Sequence, residues 1–336
     1  MGKSTRSFIL KIIGSALILW LLFRFIDFDL TTFFEVFKDM NLPLYLFSLS
    51  GVVIVLAIKS YRWHMIIRAE GQYYPVFKSF GAYMASYTIG IVTPGRIGEI
   101  ARLYYLRQDC PIGFQPAFRT IVSDRVFDLG VLVMMAIAGI LHFGPPGVAN
   151  PYIAVSAGVL LFFAGLISVV LIIRKVLKIK RFEHLSPLVF VHDSLKITIG
   201  LKSLKYWLIT FIAYLAFYFS VGLIFMALDI EIALVDIAIV LSVVGLATIL
   251  PISWAGIGTR EMTLVYLLAF YGISSEIALS FSLLQFLAFF LWGSLIGLVF
   301  WILMPVSLEK VKEDSETLKG IFRKARHKDK SEQNKF

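Results

Sequence analysis

Apolar runs long enough to cross a bilayer recur along this chain, separated by short polar stretches. A membrane-spanning helix needs roughly 20 mostly apolar residues. Runs of that kind lie at about 7–26, 42–61, 126–144, 151–173, 204–227 and 277–304, which predicts six full spans. Two further apolar arms, about 76–92 and from 235 to Pro251, end early on helix-breaking residues. Each is followed by a shorter, semi-polar return arm, Ile97 to Leu106 in the first case and Met262 to Tyr271 in the second.

The two breaks share their chemistry. The first reads Thr93-Pro94-Gly95-Arg96-Ile97-Gly98-Glu99-Ile100-Ala101-Arg102, and the second runs from Pro251-Ile252-Ser253-Trp254 through Gly256-Ile257-Gly258-Thr259-Arg260-Glu261. Open backbone and ionised side chains are tolerated at bilayer depth only where protein buries them or a wet cavity receives them. A pair of interrupted helices in matching positions of two halves is the sequence sign of a transporter-like site.

Loop charge sets the direction of each span. Residues 174–205 carry Arg174, Lys175, Lys178, Lys180, Arg181, Lys196, Lys202 and Lys205, and the tail 306–336 is also basic, so both segments are expected on the cytoplasmic side. Loops 27–41 (Asp27, Asp29, Glu35, Asp39) and 227–236 (Asp229, Glu231, Asp236) are acidic and belong outside. Both termini then fall in the cytoplasm. By parity the segment 72–122 enters and leaves from inside, and 235–272 enters and leaves from outside. A unit of span, re-entrant hairpin, span (42–144) therefore recurs upside down at 204–304. The expected fold is all-α, about six spans plus two re-entrant broken-helix hairpins arranged as inverted repeats, with a membrane domain over 1–305 and a tail over 306–336.

Composition agrees and excludes alternatives. The chain is 59% hydrophobic and only 16% charged, values outside the range of soluble globular domains. The net charge of +10 would suggest nucleic acid in a soluble protein, but here topology accounts for it, and no nucleic-acid partner is expected. The run 7–26 has basic residues before it and no small-residue cleavage site, so it reads as a retained span rather than a signal peptide. The single cysteine, Cys110, excludes an internal disulfide and a cysteine metal cluster, and the histidines lack metal-ligand spacing. Neither a metal nor a cofactor is expected.

The candidate substrate-binding residues are Arg96, Glu99, Arg102, Asp124, Arg125, Asp128, Arg260 and Glu261. If the chain after Gly98 is helical, Glu99 and Arg102 stand at i and i+3 on one face, and Arg125 and Asp128, at the same spacing, can pair. Glu99 and Glu261 are expected in the first turns of the return arms, where the helix dipole favours a negative charge. Gly95, Gly98, Gly256 and Gly258 free backbone N–H groups that, with a guanidinium, would cradle a phosphate. The bland alternative is that these are structural ion pairs holding loops to their neighbours. The eight ionisable residues sum to zero charge, so an entering phosphate would have to displace a carboxylate from an arginine, or meet a protonated Glu99 or Glu261. Lys59 and Arg62, near a span end, read as side chains that snorkel to the headgroups.

The residues Tyr87-x-x-Gly90-x-x-x-Pro94-Gly95-Arg96-Ile97-Gly98-Glu99-x-x-Arg102, then Asp124-Arg125-x-x-Asp128, then Pro251 through Glu261, resemble the flippase-like transmembrane region of lysylphosphatidylglycerol synthases. The resemblance spans about residues 8–304. Asp124 stands where many relatives would carry glutamate. In the fused synthases this region is thought to move aminoacylated phosphatidylglycerol between leaflets, while a separate soluble domain attaches the amino acid. With about 30 residues after the last span, the chain is expected to lack such a domain, so the resemblance implies a stand-alone flippase or transporter of lipid-linked substrates in the plasma membrane, not an enzyme. No Walker-type loop is present, because Gly256-Ile257-Gly258-Thr259 lacks the required lysine. The competing readings are an enzyme or enzyme partner in lipid-phosphate or glycolipid metabolism, and a scaffold whose polar clusters are structural. The expected partners are a membrane lipid, and either a second copy of the chain or a lipid-modifying enzyme.

Overall fold

The computed structural model describes residues 29–91, 93–143, 150–177, 197–198, 200–249 and 256–306. The expected span at 7–26, most of the basic connecting loop, Pro251 to Ala255, and the tail beyond Val306 lie outside these residues. All regular structure among the described residues is helical.

Five helices are long and apolar enough to cross a membrane. They are α2 (Leu42–Ala69), α5 (Phe114–Phe143), α6 (Pro151–Leu177), α7 (Leu204–Ala227) and α10 (Ser275–Leu303). They match five of the six expected spans. Two differences have simple causes. Helix α5 starts well before residue 126, because Arg119 in its first turns is neutralised by Glu70 at 2.8 Å and need not leave the helix. The acidic stretch 27–41, read as a loop, contains α1 (Leu30–Asp39), whose first turn is capped by the Asp29 carboxylate through Thr31 N at 2.9 Å and Thr32 N at 3.2 Å.

The two hairpins are present as interrupted helices. Helix α3 (Val76–Ile91) has 16 residues, about 24 Å, too short to cross a ~30 Å hydrocarbon core. Thr93 is extended, as a residue before proline must be. The chain then turns through a 3₁₀ stretch, Pro94–Ala101, into α4 (Arg102–Asp109). Helix α8 (Leu234–Ile249), again 16 residues, returns as α9 (Thr259–Ala269). Gly256 and Gly258 shape the second turn with φ of 80° and 89°, a region that costs glycine nothing.

Each hairpin docks on the closing span of the other unit. Helix α3 lies along α10, and α8 lies along α5, while α2 packs on α7. Small residues make these approaches close, as expected where lipid supplies no hydrophobic drive between helices. A Cβ at Gly297 would stand 2.3 Å from the Met84 carbonyl oxygen, and one at Gly139 would stand 2.7 Å from Val243. At the α2–α7 crossing a Cβ on Gly51 would meet Ser220 Oγ at 2.0 Å. Polar bonds add to the α3–α10 contact: Thr88 Oγ1 donates to the Ser294 carbonyl at 2.9 Å, and Tyr87 OH donates to the Phe289 carbonyl at 2.6 Å. Phe289 lies in a π-helical segment, Phe286–Leu291, that interrupts α10 near its middle. An extra residue in the turn frees a carbonyl, and Tyr87 takes one up.

Candidate functional site

Among residues from the first hairpin, α2 and α5, ionised groups form one continuous ladder. Asp124 is fully buried and sits between two arginines. Arg62 Nε donates to its Oδ1 at 2.8 Å, and Arg102 Nη1 lies 2.8 Å from its Oδ2. Arg62 goes on to Asp128, with Nη1 to Oδ1 at 3.0 Å. The same Asp128 Oδ1 receives Lys59 Nζ at 3.1 Å, and Asp128 Oδ2 lies 3.8 Å from Arg125 Nη1. Arg125 then pairs with Glu99, and Glu99 Oε1 lies 3.8 Å from Arg96 Nη1. The order is Arg102, Asp124, Arg62, Asp128 (with Lys59 beside it), Arg125, Glu99, Arg96. Neutral groups finish the shell. Tyr83 OH donates to Asp124 Oδ2 at 3.1 Å, Arg62 Nη1 donates to Thr210 Oγ1 at 2.8 Å, and Tyr214 OH donates to the Asp128 carbonyl at 3.2 Å.

Local sequence explains the placement. Asp124 and Asp128 are one helical turn apart on α5, and Lys59 and Arg62 are nearly so on α2, so the two faces match. Gly90 clears room for Glu99: a Cβ there would stand 2.4 Å from Glu99 Cγ. Gly98 lets the return arm close on α3, since its Cβ would meet the Ile89 carbonyl oxygen at 2.4 Å. Arg96 sits at the tip with φ 55°, left-handed for a residue that is not glycine. Such outliers persist where surrounding contacts over-determine them.

The second hairpin delivers a separate, self-balanced group. Glu261 accepts from the Gly258 N–H at 2.7 Å and so caps α9, in the first turn as expected. Arg260 Nε donates to Glu261 Oε1 at 2.9 Å and to Ser282 Oγ at 3.1 Å, and the Ser282 hydroxyl donates to Glu261 Oε1 at 3.0 Å.

The two groups meet on aromatic rings of α10. The Arg96 guanidinium carbon lies 5.2 Å from the Phe290 ring centroid and 5.7 Å from Tyr87. Arg260 lies 5.5 Å from the same Phe290 centroid and 5.2 Å from Phe286. Both guanidinium carbons are therefore within reach of one ring, in cation–π range. At 1.5 Å per residue, Phe290 is roughly 20 Å from either end of α10.

Several expectations need correction. Lys59 and Arg62 do not snorkel: the Arg62 side chain is 0% exposed and central, and the Lys59 side chain, 16% exposed, pairs with Asp128. Glu99 and Arg102 do not pair with each other. The 3₁₀ stretch changes their relative rotation, sending Glu99 to Arg125 and Arg102 to Asp124. For the same reason Glu99 is late in the 3₁₀ turn and not in the first turn of a return helix. Two of the glycine N–H groups assigned to a phosphate cradle are engaged, Gly98 by Thr93 Oγ1 at 2.8 Å and Gly258 by Glu261. Sequence reading also missed Tyr83, Thr210, Ser282, Phe286 and Phe290. Lys59 and Arg62 carried a usable signal, two cations nearly one turn apart inside an apolar run; the phenylalanines carried none. Among the described residues no cluster of His, Cys, Asp and Glu is arranged to hold a metal.

An all-α polytopic membrane protein, with two interrupted helices meeting beside a buried ion-pair ladder, is the class that this architecture defines. The chain belongs to the family described as the lysylphosphatidylglycerol synthase TM region, which matches residues 8–297. It is similar to the UPF0104 membrane protein MJ1595 of Methanocaldococcus jannaschii, with 24% identity over 92% of this chain and 98% of that protein.

Proposed function

We propose that this protein moves a phosphate-bearing lipid headgroup between leaflets, without ATP and without chemically altering the lipid. The observation that carries the reading is the convergence of Arg96 and Arg260, from two different hairpins, on Phe290 midway along α10. Guanidinium groups bind phosphate oxygens strongly and in a fixed fork. A headgroup held first by Arg96 and then by Arg260 passes the middle of the span while its acyl chains stay in lipid. The exchange of hairpins between the units α2–α5 and α7–α10 supports an inverted repeat, the arrangement in which one unit rocks against the other around a fixed site. The reading places the protein in the plasma membrane with both termini in the cytoplasm, by the positive-inside rule. It also leaves room for a second copy of the chain or a lipid-modifying enzyme as a protein partner.

The test is headgroup scrambling in reconstituted vesicles containing a fluorescent phospholipid. Arg96→Ala and Arg260→Ala should each abolish it, with the lipids unchanged by mass spectrometry after incubation. Undiminished scrambling in both variants would overturn the proposal. A new headgroup mass in the wild-type incubation would make the protein an enzyme instead.

A further inference from the structure

We infer that the inner ladder is a receptor for a doubly charged phosphate monoester, and that it prefers this group to a singly charged phosphodiester. The inference rests on reading the site as a headgroup site and adds which headgroup chemistry it takes. It follows from charge. Among the described residues the ladder contains five cations, Lys59, Arg62, Arg96, Arg102 and Arg125, against three carboxylates, Glu99, Asp124 and Asp128, so 5 − 3 leaves a surplus of two positive charges. Every carboxylate is already shared. Asp124 serves Arg62 and Arg102, Asp128 serves Lys59 and Arg62, and Glu99 serves Arg125 and Arg96. Four of the five cations are arginines, which do not shed a proton to relieve the excess. The second hairpin cannot supply the missing anions, because Glu261 is committed to Arg260 and Gly258.

Surplus charge in an apolar surrounding is expensive unless an anion arrives to balance it. Among the described residues the ladder is most exposed toward its Arg96 end. The side chains of Arg62 and Arg102 are 0% exposed, whereas Arg125 is 31% and Arg96 45% exposed. Buried Arg125 Nε has no hydrogen-bond partner among the described residues, so a donor is free beside Glu99 and Asp128. An anion entering past Arg96 would meet Arg96, Arg125 and Lys59 in turn. A phosphate monoester carries about 1.5 to 2 negative charges near neutral pH and matches the surplus; a phosphodiester carries one and leaves a cation unbalanced. The same chemistry belongs to lipid monoesters and to free phosphate, and the experiment separates them.

The full-length protein in detergent is titrated calorimetrically at about pH 7, where the monoester carries about 1.5 to 2 negative charges, with short-chain phosphatidic acid, short-chain phosphatidylglycerol and inorganic phosphate. Phosphatidic acid should bind at least tenfold more tightly than phosphatidylglycerol. Lys59→Gln should reduce that preference at least fivefold and Lys59→Arg should restore it. Arg125→Gln, on the exposed side of the ladder, should act like Lys59→Gln if the first variant folds poorly. Inorganic phosphate binding as tightly as phosphatidic acid would support the monoester class and make the ligand soluble; much weaker binding would support a lipid source. Equal binding of the two lipids by the wild type, or an unchanged preference in folded Lys59→Gln and Arg125→Gln, would overturn the inference. Scrambling that depends on Arg96 and Arg260 without any monoester preference would leave the transport reading standing alone. Monoester preference without scrambling would do the reverse.

Discussion

Arg96 and Arg260 come from hairpins on either side of the chain's midpoint, yet both guanidinium carbons lie within 5.5 Å of the Phe290 ring centroid. What joins them is a ring on a third element, in a segment of α10 whose π-helical turn alters the rotation of the side chains it carries. Phe290 thus separates the ladder's open end from the neutral Arg260–Glu261–Ser282 group.

Replacing that ring should cost transport more than stability. Each exposed cation–π contact is worth about 0.5–1 kcal/mol, rising to about 2 when desolvated. Phe290→Ala should lower scrambling about tenfold or more, while Phe290→Trp retains most of it. Equal rates for Phe290→Ala and the wild type in reconstituted vesicles would show that the ring is packing alone.

Arg62 is the structural centre of the ladder, and its loss should be felt in folding. Arg62→Ala leaves Asp124 and Asp128 short of a cation in a buried setting, a change that costs about 3–5 kcal/mol where a buried pair is broken. Thermal unfolding in detergent should show a large drop in midpoint. Arg62→Lys keeps the charge but not the several bonds to Asp124, Asp128 and Thr210, and should fall between.

At Arg96 function and stability should part company. Its backbone has φ 55°, which glycine adopts without cost and other residues do not. Arg96→Gly should therefore leave the unfolding midpoint unchanged or slightly higher and abolish scrambling. A destabilised Arg96→Gly would mean that its contacts to Glu99, Tyr87 and Phe290 hold the hairpin together.

Two glycines in spans should behave oppositely. Gly297→Val would drive a side chain into the Met84 carbonyl oxygen, 2.3 Å from the new Cβ, and push α3 off α10. Little folded protein should be recovered. At Gly165, on α6, a Cβ meets nothing within 4 Å, so Gly165→Ala should be tolerated and add about 1 kcal/mol of helix preference. Fluorescence-detected size exclusion of the two variants would settle the contrast.

Much of the fold was legible because apolar length is a one-dimensional property. Runs of about 20 apolar residues became α2, α5, α6, α7 and α10, and runs cut short by Pro94 and by Pro251 with its glycines became hairpin arms. The candidate residues were legible for the same reason, since a charge inside an apolar run is visible in the sequence alone. Which charge meets which was not. Helical spacing suggested that Glu99 would face Arg102, but the 3₁₀ turn rotated the two onto different partners.

Lys59 and Arg62 show the remaining gap. Their distance from a span end fits snorkelling equally well, and only the approach of α2 to α5 brings them against Asp128 and Asp124. The sequence by itself therefore determined the helices, the two interruptions and the residues too polar for lipid, because burial in a bilayer acts on each segment separately. The tertiary structure alone decided the partners of those residues, the surplus of positive charge and the meeting at Phe290. Those depend on contacts between segments far apart in the chain, which close packing through Gly51, Gly139 and Gly297 makes possible.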